Sequence, residues 1–367
     1  MRVIRWREGT VTALGRAWRG AVEIDVAVVA RAAGDPSTVR AIAYPPLVGD
    51  PLVGDRVLLN MAALALDLGT GGYALVVALP DRLPDDGKPV TRDAGHTVKA
   101  RYTPLQPIVL GVDEAASPHH AVMAAATELD GMPVVVADLH SALPAIVAGI
   151  TATRPGTRIA YVMTDGGALP AWFSRTLDAL RTHLAGTVTV GQAYGGDLEA
   201  TNVHVGLLAA RHVLAADVTV VTQGPGNLGS GTVWGFSGTA AGEAVNAAAA
   251  LGGRPVGSLR ISDADARDRH RGVSHHSLTA YGRVALARAD LVVPDGLPAP
   301  LAADVSVALA PLGDRHDIVT VVTDGLDAAM RALPVTLSTM GRDLDRDHAY
   351  FLAAAAAGRH AATLIGG

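Results

Sequence analysis

Cysteine is absent from the 367 residues. That excludes disulfides, a thiolate nucleophile, and zinc or iron–sulfur centres held by sulfur. Any metal has to be held by His, Asp, Glu or neutral oxygens. Lysine is nearly absent too. Only Lys88 and Lys99 occur, so 28 of the 30 basic residues are arginine. With Ala and Gly so abundant, this skew reads as coding bias, and an arginine cluster is not in itself a phosphate site. No uninterrupted apolar run reaches the roughly 18 residues a membrane span needs. The Ala-rich stretch 240–251 is broken by Gly242, Glu243 and Asn246 and reads as a buried helix. Met1–Gly9 carries arginines but no apolar segment, so it does not read as a signal peptide, and a cytoplasmic location is expected.

Hydrophobic residues make up 49% and charged residues 18%, enough to build a core and too apolar for disorder. The length points to two domains. A net charge of -5 gives no reason to expect a nucleic-acid or membrane-surface partner.

The chain divides by rhythm. Residues 9–79 hold five β-rich runs, Thr10–Arg16, Gly20–Ala30, Val39–Tyr44, Arg56–Asn60 and Gly72–Leu79, separated by Gly, Pro and Asp. Short strands of this kind predict a small β-barrel of the OB or SH3-like type over residues 1–80. Residues 81–95 are rich in Pro, Asp and Gly and read as a linker. From 96 to 367 apolar runs alternate with helical patterns. The runs are Pro107–Val112, Pro133–Ala137, Thr157–Thr164, Thr187–Gly191, Asp217–Thr222, Pro255–Ile261 and Asp317–Thr323. Strands apolar on both faces, separated by helices, predict an α/β domain with a mostly parallel, Rossmann-like sheet flanked by helices. A last helix is expected from about Asp343 to Thr363.

In such a sheet the carboxyl ends of the strands share one edge, and ligands bind there. Polar residues follow the strands repeatedly: Asp113 and Glu114, Asp138 and His140, Asp165, Gln223, Asp263 and Asp324. Each Asp can also simply cap the next helix. A second feature is the loop Gly224-Pro225-Gly226-Asn227-Leu228-Gly229-Ser230-Gly231 after a strand, where Gly224, Gly226, Asn227, Gly229, Ser230 and Gly231 can bring backbone N–H groups to an anion. It is not a Walker loop, and no acid follows at dinucleotide-binding spacing. A third is the charged stretch Asp263–Ser277, with three histidines and three aspartates in an otherwise apolar domain. His270 and His275, with Asp263, form a ligand set for a divalent metal. Adjacent His275 and His276 project differently, so one of them is expected to join His270. No Ser/His/Asp triad is visible.

Over nearly its whole length the chain resembles a bacterial protein family catalogued as a domain of unknown function. The segments Gly9–Gly20, Gly69–Ala78, Val98–Gln106, Val162–Pro170, Trp234–Gly238, Arg269–Thr279 and Ser338–Arg342 carry the resemblance. A narrower one lies in His270-Arg271-Gly272-Val273-Ser274-His275, which is similar to the His-Arg-Gly-x-Thr-His stretch of certain membrane-bound metal-dependent hydrolases, with Ser274 in place of threonine.

These features lead to the expectation of an enzyme acting on a small anionic molecule, phosphorylated ones included, with divalent-metal assistance. Asp138, His140, Asp165, His270 and His275 are its candidate catalytic or ligating residues. The alternative is a non-catalytic metabolite-binding or regulatory protein that uses the barrel as an interaction module. A nucleic-acid-binding barrel would have to rely on Trp6, Trp18, Arg16 and Arg19. The oligomeric state, a homo-oligomer included, is left open.

Overall fold

The computed structural model describes residues 4–85 and 95–366. The chain forms two compact units, one built from the chain up to Ala94 with Ala100–Pro107, the other from Gly95–Lys99 and Ile108 onward. Most of the expected linker, residues 86–94, lies outside the described residues.

The first unit is a closed five-stranded barrel in the order β1-β2-β3-β5-β4. Its strands are β1 (Trp6–Trp18), β2 (Ala21–Val28), β3 (Thr38–Ala43), β4 (Arg56–Asn60) and β5 (Ala74–Ala78). β1 closes the barrel by pairing with both β2 and β4, and two irregularities in its register bend it around the corner. Only β3 and β5 run parallel. Alternation fills the interior: Val57 and Leu59 point in while Arg56 points out. Val11, Ile24, Val26, Ala41 and Val76 complete the core. Trp18 is buried, but Trp6 lies on the surface. Asp35 ties down the loop after β2. It accepts from Arg7, Arg5 and the Arg31 and Ala32 amides, which hold its carboxyl far below the usual carboxylate range.

The second unit centres on an eight-stranded, wholly parallel sheet. Two short strands precede it, β6 (Thr97–Val98) and β7 (Ile108–Val109), which pair only with each other. The expected first sheet strand, Pro107–Val112, is therefore a correction. Ile108 and Val109 pair with Val98 and Thr97 instead, and beyond them Gly111 bridges to the sheet edge at Glu199. The sheet strands are β8 (Pro133–Val136), β9 (Ile159–Thr164), β10 (Gly186–Thr189), β11 (Leu198–Glu199), β12 (Val218–Gln223), β13 (Arg254–Ser258), β16 (Asp290–Pro294) and β17 (Asp317–Val321). Between β13 and β16 comes a hairpin, β14 (Ile261–Ser262) with β15 (Gly272–Val273). The spatial order is β11-β10-β9-β12-β8-β13-β16-β17. β16 is not among the runs expected from the sequence; the helical segment before it ends at Val284.

Helices cover both faces. In β8, Val134 and Val136 face one core and Val135 faces the other. The helix Leu143–Thr153, after β8, packs into the second core, and Ala240–Ala250, after β12, packs into the first. The C-terminal helix His348–Thr363 lies along Leu143–Thr153. Glycine makes that approach feasible. A Cβ at Gly149 would stand 1.9 Å from the Ala355 carbonyl oxygen, and one at Gly358 would stand 2.1 Å from that of Ile146.

The adjacent strands β8 and β12 feed helices on opposite faces. Their carboxyl ends therefore flank a switch point, where the two connections part and leave a crevice. No helix among the described residues is long and apolar enough to cross a membrane.

Candidate active site

The crevice collects the residues that follow four strands. β8 delivers Asp138 and His140, β9 ends in Thr164, β12 ends in Gln223, and β13 leads to Arg260. Asp138, His140, Gln223 and Arg260 are all buried.

The charged stretch after β13 folds back onto this edge, anchored by ion pairs between side chains. Asp265, only 2% exposed, accepts from Arg260 Nη2 at 3.1 Å, Arg267 Nη2 at 2.9 Å and Arg342 Nη2 at 3.1 Å. Its neighbour Asp347 accepts from Arg342 Nε and from Ser262 Oγ, both at 2.8 Å. Arg267 first, then Arg260, holds the Asp265 carboxyl far below the usual carboxylate range. This network fixes both ends of the hairpin and so sets where residues 270–276 lie.

Ser274 then starts a helix. As N-cap, its Oγ accepts from the His276 amide. The same Oγ lies 2.7 Å from His270 Nδ1, which leaves Nε2 as the atom His270 can offer a ligand. His270, His275 and His276 present one nitrogen each, all within 4.8 Å of one another. Their ring centroids are 4.4–4.9 Å apart. Phe236 stacks on His276 at 3.8 Å and holds its ring plane. On the other side, His276 Nδ1 stands 3.7 Å from Asp138 Oδ2.

Protonation favours ligation. Burial, reinforced by Arg260, Arg267 and His276, pushes the His270 imidazole down to about 3. Burial and then His276 push His275 down to about 4. Both rings are neutral at pH 7, with a lone pair available. Among the described residues, His275 Nε2, His276 Nδ1 and Asp138 Oδ2 are buried with no hydrogen-bond partner. The sequence reading admitted one of His275 and His276; the structure brings in both. Neighbouring residues in a first helical turn diverge by about 100°, but here both rings reach the same edge, both against Phe236 and both against His270.

A cleft of about 310 Å³ opens at His140, and Asp138 is not among its lining residues. His140, Ser174, Gln223 to Asn227 and Ser338 to Met340 line it. His140 is held on both nitrogens, by Tyr161 Oη at 2.9 Å and by Ser174 Oγ at 2.7 Å. Burial pushes its pKa down to about 4. The imidazole is neutral and rigidly placed, too weak a base for a general base at pH 7.

The other expected site residues fall elsewhere. Asp165 is exposed, and its Oδ2 accepts from the Gln192 amide at 2.8 Å, so it pins a turn. Asp263 is exposed and outside the histidine cluster; the buried acid of that stretch is Asp265. The glycine loop divides. Gly224, Gly226 and Asn227 line the cleft, whereas Gly229, Ser230 and Gly231 are exposed and fold back on themselves, the Ser230 amide donating to the Gly235 carbonyl at 2.7 Å. Glu114 is taken up by local amides at His96, Thr97 and Gly111. Sequence reasoning missed Phe236, Gln223 as a buried amide, and the Asp265 network. A signal for the last was present, since Arg260, Arg267 and Arg269 stand within five residues of Asp265 in an apolar domain and buried charges there have to be paired.

A parallel α/β domain carrying a histidine cluster at its switch point, preceded in the chain by a closed five-stranded barrel, defines the class of protein. Over residues 40–358 the chain matches the model of a family described as a protein of unknown function, DUF3866, and it belongs to that family. No curated protein and no solved structure matches it.

Proposed function

We propose that this chain is a metal-dependent enzyme acting on a small anionic molecule in the crevice at the ends of β8 and β12. His270 Nε2, His275 Nε2 and His276 Nδ1 hold a divalent cation, and Asp138 faces the remaining position. One observation carries the reading: one nitrogen from each of His270, His275 and His276 lies within 4.8 Å of the others, and His275 Nε2, His276 Nδ1 and Asp138 Oδ2, the last 3.7 Å from His276 Nδ1, are buried with nothing to bond. Leaving a buried donor or acceptor unpaired costs about 1–3 kcal/mol each. A cation on the imidazoles would relieve the two nitrogens, and a water on that cation could reach Asp138.

The donor set suits zinc or a similar borderline ion, with three nitrogens and an open fourth position beside a carboxylate. Zinc–nitrogen bonds of about 2.1 Å put tetrahedral ligands roughly 3.4 Å apart, so the cluster has to tighten slightly on loading. A cation there acidifies a bound water and attracts an anionic substrate group. Asp138 is placed to orient or deprotonate that water. Ser274 holds the His270 ring through Nδ1, Phe236 stacks on the His276 ring, and the Asp265 network holds the loop.

The test is elemental analysis of the purified protein, paired with hydrolysis of p-nitrophenyl phosphate. The expected outcome is about one metal equivalent per chain, lost in His276→Ala, and turnover lost in Asp138→Asn with the metal retained. A chain without metal, and without a thermal shift on adding zinc or manganese, overturns the reading. Metal without turnover on any phosphate or carboxylate ester tried moves the assignment to a binding protein.

A further inference from the structure

We propose that Arg269 holds the anionic group of the substrate at the open side of the histidine cluster, bonding two of its oxygens through the guanidinium. This rests on the reading of the cluster as a metal site, and it gives the substrate's charge a partner in the protein. Of the three imidazoles, His270 and His276 are buried and His275 is half-buried. A molecule coming from solvent meets the cluster at His275. Arg269 stands in the single turn Asp268–His270 and its side chain is exposed. It reaches the glycine loop, where a Cβ built at Gly231 would lie 3.9 Å from its Nη2. That loop folds back through the Ser230–Gly235 bond and ends on Phe236, whose ring meets both His275 and His276. After burial and His276, Arg269 is the group that most favours a neutral His275 ring, ahead of Arg260 and Arg267.

The charge of Arg269 is uncommitted. Asp265 takes Arg260, Arg267 and Arg342, and Arg283 lies over the Trp234 ring, 5.8 Å from its centroid. Among the described residues the Arg269 guanidinium enters no ion pair and no hydrogen bond. A guanidinium presents two parallel N–H groups to two oxygens of one phosphate or carboxylate, and it stays charged at every pH of interest. An anion that reaches the cation on the imidazoles can bond Arg269 as well, whereas a neutral molecule gains nothing from it. Arg271 is also exposed and unpaired, but no atom of it lies within 4 Å of the Cβ built at Gly231, so it carries the same charge without the same placement. An exposed arginine without a partner adds little to stability, so replacing Arg269 reads out binding.

Calorimetric titration of inorganic phosphate into the full chain, zinc-loaded and metal-free, tests the proposal. Phosphate should bind the loaded wild type, and more weakly as sodium chloride is raised. Arg269→Gln should weaken binding about tenfold or more, the size of a lost charge-assisted contact, with zinc content and melting temperature unchanged. Arg269→Lys keeps the charge without the fork and should fall between the two. Arg271→Gln should bind as the wild type does. Equal affinity in Arg269→Gln and wild type, an equal loss in Arg271→Gln, or no phosphate binding in either form overturns the proposal. Zinc loading without an effect of Arg269 overturns it and leaves the metal reading standing. Phosphate binding that depends on Arg269 in a chain that never loads zinc removes the metal reading and leaves this assignment.

Discussion

Asp265→Asn should do more damage than any other single change outside the histidines. Asp265 is the one carboxylate shared by Arg260, Arg267 and Arg342. Arg267 is 38% exposed and Arg342 19%, so both can regain water; Arg260, at 3%, cannot. The substitution removes the negative charge and turns an amide NH₂ toward guanidinium groups, leaving Arg260 buried and unpaired. Breaking a buried ion pair at one end costs about 3–5 kcal/mol. In a domain of this size each kcal/mol lowers the melting temperature by about 2–4 °C, so thermal unfolding should shift down by roughly 6–20 °C. The double variant Arg260→Met/Asp265→Asn should recover part of the loss, because it removes the orphaned charge. Circular dichroism melts of the three variants decide it, and zinc titration should show at least tenfold weaker affinity in Asp265→Asn. A stability change below about 1 kcal/mol would refute the claim that this network holds the loop.

Two further outcomes follow from the packing. Gly149→Ala should destabilise by more than the about 1–3 kcal/mol of ordinary overpacking, because the new methyl meets the rigid Ala355 carbonyl rather than a side chain that can swing away; urea unfolding measures it, and a neutral result would show that the two helices are not in close contact. His140 gives the acid response. Its folded pKa, about 4, lies below the unfolded value near 6.5, so the unfolded chain binds the extra proton between these pH values. Its share of the stability should therefore be intact above pH 6.5 and fall by about 3 kcal/mol as pH drops to 4 and below, beside the shares of His270 and His275, which titrate in the same range. His140→Gln should remove about one proton's worth of that slope and leave the rest, and an unchanged slope would show that His140 is not buried neutral.

The architecture was legible where the pattern was long and consistent. Pro133–Val136 and Val218–Gln223 are apolar on both faces because helices cover both, and the alternating strand runs before residue 80 close into a barrel. β16 escaped because Asp-Leu-Val-Val-Pro follows a short helix without a clear break, and β7 misled because an apolar run at a sheet edge looks like one that crosses it. The site was legible as a chain address, the strand ends and the charged stretch, but not as a list of partners. Asp165, Asp263 and Asp265 are equivalent in sequence. Only the fold commits the first to a turn, leaves the second in solvent and surrounds the third with arginines. Spacing also undercounted the imidazoles, since ring planes depend on Phe236, about forty residues earlier in the chain.

X-ray absorption at the zinc edge on reconstituted protein tests the central claim most directly. The account predicts about one zinc per chain with three imidazole nitrogens near 2.0–2.1 Å and one further oxygen ligand. His270→Ala and His276→Ala should each remove an imidazole shell or the metal itself. A spectrum without imidazole scattering, or one unchanged in both variants, would contradict it.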